Sequence, residues 1–170
     1  MNNGIEFFTA TCLNWQPLLL PDERKQILMD SLRFMVADNR IWLYGFVIMP
    51  NHIHLMWRRK DEWVNKSTEQ IFLKFTAQQI KYRLVESTPA ELENYRSTQR
   101  DRLYHFWERR PYKATMYNKK VARQKIDYMH YNPVKAGLCE SPMDYKFSSA
   151  RYYELNEDNW GFIQNYADHL

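Results

Sequence analysis

The segment spanning residues 40–58 constrains the fold most. Residues 41–49 are almost wholly apolar, Pro50-Asn51 marks a turn, and an extended pattern resumes over residues 52–58. An apolar run of this length beside turn residues is typical of a buried strand, and the turn brings the next run back alongside it. We therefore predict a β-hairpin whose second strand carries His52 at its start.

Two further strands are predicted on either side of this hairpin. Residues 5–12 are rich in β-forming side chains, and residues 103–107 resemble a short fourth strand. With three intervening helices, the order is strand, helix, strand, strand, helix, strand, helix. This order predicts the α+β class, an antiparallel sheet with helices packed mainly on one face.

The three helices have recognisable ends. The first opens at Asp22, the second follows a capping box that starts at Ser67, and the third is capped by Asn118. Asn132-Pro133 is predicted to end the third helix, because a residue before proline avoids helical angles. The second helix carries apolar residues along one predicted face: Ile71, Phe75, Tyr82 and Val85.

We interpret residues 1–170 as one domain, with a core of about residues 5–138 and a C-terminal extension of residues 139–170. A length of 170 residues is that of a single domain. The extension is too aromatic to remain in solvent, so we expect it to dock on the body. Its rings are Tyr145, Phe147, Tyr152, Tyr153, Trp160 and Phe162.

Composition excludes several classes of site. Four scattered glycines cannot build a phosphate-cradling loop or a dinucleotide fingerprint, so we predict no nucleotide cofactor. Two cysteines are too few for a disulfide framework or a four-thiolate zinc site. No apolar run reaches the roughly 20 residues of a membrane span, and no secretion signal opens the sequence. We expect a cytoplasmic protein with no membrane partner.

The charge and the aromatic content suggest a partner without fixing it. The formal net charge is +4, and aromatic residues make up 16% of the chain. Cations for phosphates and flat rings for unstacked bases suit single-stranded nucleic acid. An ordinary mildly basic protein with an aromatic core would have the same composition.

The triplet His52-Ile53-His54 is the most informative local motif. Side chains alternate along a strand, so the two imidazoles share one face and Ile53 points to the other. Two imidazoles side by side form half of a site for a divalent metal. A solvated strand with the same two residues is an equally simple interpretation of the triplet alone.

Three strings, taken together, resemble a known family. They are Met49-Pro50-Asn51-His52-Ile53-His54, Tyr128-Met129-His130-Tyr131-Asn132-Pro133-Val134-Lys135-Ala136-Gly137, and Tyr145-Lys146-Phe147-Ser148-Ser149. In this order and spacing they resemble the single-domain tyrosine transposases of the HUH superfamily. The branch associated with repetitive extragenic palindromes (REP) is the nearest, and the resemblance runs from Phe7 to about Phe162.

The resemblance implies a fold and an activity. The fold would be a ferredoxin-like sheet with the histidine pair on a central strand. The enzyme would cleave and rejoin single-stranded DNA beside a hairpin through a covalent 5′-phosphotyrosine, as in DNA transposition. His52 and His54 would hold Mg²⁺ or Mn²⁺, which polarises the scissile phosphate. The relatives are commonly dimers, so a homodimer and a nucleoid-associated location are implied as well.

The nucleophile is placed by the same resemblance just after a tryptophan-containing strand. Tyr112 stands at that position, and Tyr117 is the second candidate. Tyr128 and Tyr131 are further possibilities, within the last helix. Each of these tyrosines could instead serve in packing.

Relatives often supply a third metal ligand (Gln, His or Asn) about one helical turn beyond the nucleophile. Four residues beyond Tyr112 the chain has Met116, a poor ligand for a hard cation. Asn118 or Gln124 could take its place.

Basic residues near these motifs are the predicted DNA contacts, since each lysine or arginine can neutralise a phosphate. Solvated surface charge is the alternative for each of them. The predicted set is Arg58, Arg59, Arg109, Arg110, Lys113, Lys119 and Lys120.

Two other functions fit the residues. One is a non-catalytic hairpin DNA- or RNA-binding protein on the same fold, with a vestigial histidine pair. The other is an unrelated zinc hydrolase in which His105 or His130 completes the ligand set.

Overall fold

A computed structural model describes residues 3–170 as a four-stranded antiparallel sheet with helices on its two faces. The strand order β2-β3-β1-β4 is that of a ferredoxin-like sheet, so the predicted α+β fold is confirmed. The strands are β1 (Ile5–Thr11), β2 (Ile41–Ile48), β3 (His52–Arg59) and β4 (Tyr112–Met116).

Helices cover the sheet unequally. The long helix that follows β1 and the long helix that follows β3 pack on one face, around buried residues such as Phe8 and Leu55. The last long helix covers part of the other face, where Ile126 and Met129 pack against Val47. Among residues 3–170, no helix is long and apolar enough to cross a membrane. The helices are α1 (Asp22–Ala37), α2 (Thr68–Ser87), α3 (Pro89–Leu92), α4 (Lys119–Lys135) and α5 (Ala150–Glu154).

The hairpin of β2 and β3 forms as predicted, and α1 begins at Asp22 as expected. The capping box of α2 does not form, because the Ser67 side chain makes no cap hydrogen bond. The apolar face predicted from Ile71 and Phe75 points to solvent, while a second face packs on the core. The core-facing residues are Phe72, Thr76, Ile80 and Leu84.

The prediction of the fourth strand at residues 103–107 was wrong. Trp107 makes only an isolated bridge, opposite Cys12 at the end of β1. The chain then turns through Arg110, which has a φ of 59°. It returns along the free edge of β1 as β4, where Tyr112 pairs with Thr9. Strand formation therefore follows the unpaired edge of β1 and not the local β propensity.

The predicted end of α4 was also too early. Asn118 caps the helix as predicted, since its side chain accepts a hydrogen bond from Val121 N at 2.9 Å. Pro133 lies inside the last turn, and the helix continues to Lys135. The end is a Schellman motif, in which Gly137, with a φ of 76°, donates to Val134 O and Leu138 N donates to Pro133 O.

The C-terminal extension docks along the outer edge of β2. Ile48 N donates to Phe147 O at 2.9 Å, and Phe46 N donates to Ser149 Oγ at 2.9 Å. The Tyr153 hydroxyl donates to Tyr44 O at 2.6 Å. These bonds satisfy backbone groups that an edge strand would leave exposed, and they confirm the predicted docking of the aromatic tail.

Candidate functional site

A row of side chains crosses three strands on the α4 face of the sheet. Tyr112 of β4 is opposite Thr9 of β1, and Thr9 is opposite His54 of β3. Cross-strand partners point to the same face, so these residues converge by register alone. His52 lies two residues before His54 on that face, at the beginning of β3.

The histidine pair is compact and mostly buried. The ring centroids of His52 and His54 are 4.8 Å apart, with an interplanar angle of 76°. The Phe7 ring stacks on His54 at 5.3 Å, and the Trp15 ring meets His52 edge-on at 5.7 Å. The aromatic neighbours hold both imidazoles in place and limit the access of water.

Burial keeps both histidines neutral. It lowers the pKa of His52, although the Asn132 contact partly opposes the shift. Burial, followed by the charges of His52 and Lys125, lowers the pKa of His54 to about 3. Neutral imidazoles have a lone pair to offer a metal, whereas imidazolium groups do not.

The two ring nitrogens of His52 each contact an amide oxygen, and both contacts cannot be hydrogen bonds. The Nδ1 atom of His52 lies 2.7 Å from Asn51 Oδ1, and its Nε2 atom lies 3.0 Å from Asn132 Oδ1. A neutral imidazole has one N–H, so only one of these amide oxygens can accept a hydrogen bond. The other contact brings two lone pairs together.

One ring nitrogen of His54 also lacks a hydrogen-bond partner. Its Nδ1 atom lies 2.7 Å from Thr9 Oγ1, which fixes the ring. Its Nε2 atom is buried and has no hydrogen-bond partner. Buried polar atoms are nearly always paired, so an unpaired imidazole nitrogen beside a second lone-pair atom fits a site for a cation.

Helix α4 forms one wall of the cleft that contains these groups. The buried residues Ala122, Ile126 and Met129 fix the helix on the sheet. A neighbouring stripe then faces the histidines, because residues three or four apart share a helix face. The stripe consists of Lys125, Tyr128, Asn132 and Lys135.

This histidine cleft is open and has a volume of about 750 Å³. The Tyr128 ring lies 5.6 Å from the His54 ring. Lys125 Nζ lies 5.0 Å from the centre of the Phe7 ring and 5.8 Å from that of Tyr128. The cleft thus combines neutral nitrogen donors, an amide oxygen, a phenol and a cation, which is a suitable set for a phosphodiester.

Comparison with known proteins finds similar chains that are named as transposases. No family model matches the chain. A Haemophilus influenzae protein named "Putative REP-associated tyrosine transposase" is 27% identical over 174 residues, which cover 95% of this chain and 94% of the relative. The REP-associated tyrosine transposase of Escherichia coli K12 is 24% identical over 151 residues, covering 88% of this chain and 78% of the relative.

The chain is thus similar over most of its length to two proteins named as REP-associated tyrosine transposases. The predicted resemblance is confirmed, and the names of the two relatives support the predicted enzyme class. A solved structure of a REP-associated tyrosine transposase bound to a REP hairpin has a TM-score of 0.64 and 22% identity, covering 89% of this chain and 79% of that one. That likeness confirms the fold.

The tyrosines expected in such a transposase lie at different distances from the histidines. Tyr112 and Tyr128 both line the histidine cleft, whereas Tyr117 is exposed on the turn before α4. The Tyr112 ring meets the Phe7 ring edge-on, with ring centroids 6.5 Å apart. Tyr128 contacts the His54 ring itself.

Most of the predicted DNA contacts lie outside the histidine cleft. Arg58 and Arg59 end β3, roughly 20 Å from His52 at about 3.3 Å per residue. Lys113 points to the opposite face of the sheet, where its Nζ atom lies 2.7 Å from Glu69 Oε1. The structure places Lys125 and Lys135 in the cleft instead.

The remaining predicted basic residues do not line the histidine cleft, and Arg109 and Arg110 line a separate groove beside α2. Arg109 lies on the loop before β4, 3.4 Å from a carboxylate oxygen of Asp101, and Arg110 follows it. Lys119 and Lys120 are exposed in the first turn of α4.

The third histidine of the zinc-hydrolase hypothesis is not near the pair. His130 is buried on another face of α4, with Nε2 2.7 Å from Ser149 Oγ. His105 lines a separate groove beside α2. Within residues 3–170, no group of three or more His, Cys, Asp or Glu side chains could hold a metal ion.

Asn132 is the residue that the sequence interpretation missed. It lies four positions, about one helical turn, beyond Tyr128, which is the spacing that the family resemblance implies between nucleophile and third ligand. The same spacing counted from Tyr112 gives Met116. The spacing itself was readable in the sequence.

Proposed function

We propose that the chain is a metal-dependent tyrosine transposase that cleaves and rejoins single-stranded DNA beside a hairpin. The observation that carries the proposal is the convergence of three lone-pair atoms and a tyrosine in one cleft. The atoms are Nε2 of His52, Nε2 of His54 and Oδ1 of Asn132. Tyr128 lies beside them on α4.

The residues present fit a bound divalent cation. The 3.0 Å between His52 Nε2 and Asn132 Oδ1 is about the separation of adjacent ligands around an octahedral ion with bonds of about 2.1 Å. His54 Nε2 would be the third protein ligand, since nothing else occupies it among the described residues. A bound Mg²⁺ or Mn²⁺ would supply Lewis-acid polarisation of the scissile phosphate.

Tyr128 is the nucleophile that this geometry favours. It contacts His54 and lies one helical turn before Asn132. Helix α4 therefore positions both the attacking phenol and the proposed Asn132 ligand. Tyr112, on the opposite side of Phe7, is the alternative. The Tyr128 Oη atom would attack phosphorus, the bond to the 3′ oxygen would break, and the products would be a 5′-phosphotyrosine and a free 3′ hydroxyl.

The remaining groups of the histidine cleft suit the strand that must be held there. Lys125 and Lys135 supply positive charge for phosphates, and the exposed Trp15 ring can stack on an unpaired base. A hairpin is the proposed partner because the similar transposase structure is bound to a REP hairpin. A homodimer stays an expectation from the family.

A covalent-capture experiment tests the function. The protein is incubated with labelled single-stranded oligonucleotides that contain a hairpin, with Mg²⁺ or Mn²⁺, and resolved under denaturing conditions. We expect a protein–DNA adduct that requires metal, is absent with EDTA and is lost in His54→Ala. Hairpin binding without an adduct, with metal present, would instead support a non-catalytic binding protein.

A further inference from the structure

The turn that follows β1 presents an exposed tryptophan on a strained backbone. Asn14 and Trp15 have φ angles of 54° and 57°, so two consecutive residues lie in the left-handed region. Asparagine adopts this conformation with little penalty, whereas a bulky residue such as Trp15 is a steric outlier there. Trp15 is also 60% exposed. Backbone strain of this kind clusters at active sites and ligand clamps, so the turn is a candidate for a functional role.

The loop before β4 holds the strained turn through hydrogen bonds. Asn14 N donates to Glu108 Oε1 at 2.7 Å. Leu13 N donates to Phe106 O at 2.8 Å, and Glu108 N donates to Thr11 O at 2.7 Å. The Glu108 carboxylate thus accepts from the residue directly before Trp15. Because the backbone and the side chain of Glu108 both join the two loops, they fix the turn that carries the Trp15 ring before any ligand binds.

Trp15 lies in the wall of the histidine cleft, on the side of His52. Its ring meets the His52 ring edge-on, with centroids 5.7 Å apart. The His52 and His54 rings are 4.8 Å apart, and the His54 and Tyr128 rings are 5.6 Å apart. The indole therefore adjoins one histidine and the phenol adjoins the other, so the two rings flank the pair.

We propose that Trp15 is the stacking platform for the base of the nucleotide whose 3′ oxygen leaves, and that Glu108 is the positioning residue that holds this platform. The inference rests on the proposed function and specifies which nucleotide Trp15 receives. In a displacement at phosphorus, the attacking and leaving oxygens lie roughly in line. With the Tyr128 phenol on the His54 side, the leaving oxygen and its nucleotide lie on the His52 side, where Trp15 is.

A fixed platform at this place serves both directions of the reaction. A base stacked on Trp15 holds the sugar and its 3′ oxygen in one position, which favours in-line attack on the adjacent phosphorus. After cleavage the same contact keeps the free 3′ hydroxyl beside the phosphotyrosine. The hydroxyl can then attack phosphorus and release the tyrosine, which rejoins the strand.

An abasic scan of the oligonucleotide tests the platform. Each nucleotide of the single-stranded segment is replaced in turn by an abasic unit, and binding is measured by fluorescence anisotropy with Mg²⁺. The parent protein carries Tyr112→Phe and Tyr128→Phe, so that neither tyrosine of the cleft can form an adduct. Adding Trp15→Ala should weaken binding of the intact oligonucleotide about tenfold, as expected for the loss of one stacked base. Thermal melts verify that each variant folds.

An abasic unit at one position should cause a similar loss, and Trp15→Ala should add little there, because both changes remove the same contact. In the cleavage product of the wild type, that position should carry the free 3′ hydroxyl. An abasic unit on the 5′-phosphate side of the break is the matched control, and its effect should add to that of Trp15→Ala. Additive effects at every position, or coupling on the 5′-phosphate side, would overturn the proposal.

Two variants of Glu108 test its positioning role. Glu108→Gln and Glu108→Ala both remove the carboxylate charge, but only glutamine keeps an oxygen that can accept from Asn14 N. We expect Glu108→Ala to bind the oligonucleotide about threefold more weakly than Glu108→Gln, since one hydrogen bond is lost. The effect of the coupled abasic unit should also shrink in Glu108→Ala, which a purely structural role would not produce. Equal binding and equal abasic effects in the two variants would rule out the role of Glu108.

The outcomes separate this inference from the proposed function. A wild type that forms no adduct would count against the transposase activity, whereas the scan would still show whether one base couples to Trp15. Coupling at one base would then retain the platform, and coupling at none would overturn it. A wild type that forms the adduct while no base couples to Trp15 would retain the activity and overturn the platform.

Discussion

His52 Nε2 lies 3.0 Å from Asn132 Oδ1, and this contact joins the start of β3 to the end of α4 across 80 positions of sequence. It places an amide oxygen of the helix beside an imidazole nitrogen of the sheet. Both atoms carry lone pairs when the single N–H of the neutral His52 ring is on Nδ1 and donates to Asn51 Oδ1. The contact therefore makes sense as two adjacent positions of one cation site, and it brings Tyr128 to that site.

Asn132→Ala should lower the affinity of the protein for Mn²⁺ by at least about tenfold, because one of three protein ligands is removed. Titration calorimetry or electron paramagnetic resonance of Mn²⁺ measures the affinity directly. Asn118→Ala is the matched control, since it removes a helix cap and should cost about 1 kcal/mol of stability with unchanged Mn²⁺ affinity. Equal affinities in wild type and Asn132→Ala would rule Asn132 out as a ligand.

Lys125→Met should weaken binding of a single-stranded oligonucleotide and reduce the salt dependence by about one phosphate contact, because its ammonium group lies in the histidine cleft. Lys113→Met is the control, since Lys113 is paired with Glu69 on the other face. That change should lower stability and leave the salt dependence unaltered. The opposite pattern in fluorescence-anisotropy titrations would show that the strand follows the β4 face with Lys113.

The protein without metal should lose stability steadily as the pH falls from 7 to 4. Burial lowers the pKa of His130 to about 3, with a smaller effect of Arg123, and the pKa of His54 falls to about 3 as well. Below about pH 6.5 the unfolded chain binds protons that the folded chain does not, so unfolding becomes easier by up to about 1.4 kcal/mol per pH unit for each such histidine.

Urea unfolding in EDTA at several pH values measures this slope. His130→Gln removes one of the titrating groups, so its free energy of unfolding should depend less steeply on pH than that of the wild type. Parallel slopes for the two proteins would mean that His130 titrates normally in the folded state.

Gly45→Ala should destabilise the protein by about 1–3 kcal/mol through overpacking. A Cβ atom at Gly45 would lie 2.6 Å from Ile126 Cδ1 and 3.2 Å from Ser149 Oγ, at the irregular pairing of β2 where α4 packs. Ile126→Val removes the colliding methyl group. Thermal melts of the double variant should therefore show partial recovery, and an additive loss would place the strain elsewhere.

The sequence predicted the parts of the fold that depend on local pattern. The hairpin, the start of α1 and the Asn118 cap were confirmed because a turn, a charge pattern and a cap each act within a few residues. The position of β4 was missed, since it is set by the free edge of β1. The solvent-facing side of α2 could not be chosen either, because periodicity marks an apolar face without saying what covers it.

The sequence likewise predicted only the part of the candidate site that depends on local spacing. The spacing of His52 and His54 placed both imidazoles on one face, and the structure brings them to 4.8 Å. The choice among tyrosines needed the register of β1 with β4 and the position of α4, which no single segment contains. Lys113 alternates with Tyr112 along β4, so one faces Glu69 and the other the histidine cleft.

The identity of the tyrosine that joins the DNA tests the central claim most directly. Peptide mapping by mass spectrometry of the metal-dependent adduct locates the bonded residue, and Tyr128→Phe and Tyr112→Phe are compared under the same conditions. We predict a nucleotide on Tyr128, no adduct in Tyr128→Phe and a retained adduct in Tyr112→Phe. An adduct that survives in Tyr128→Phe and maps to Tyr112 would contradict the account.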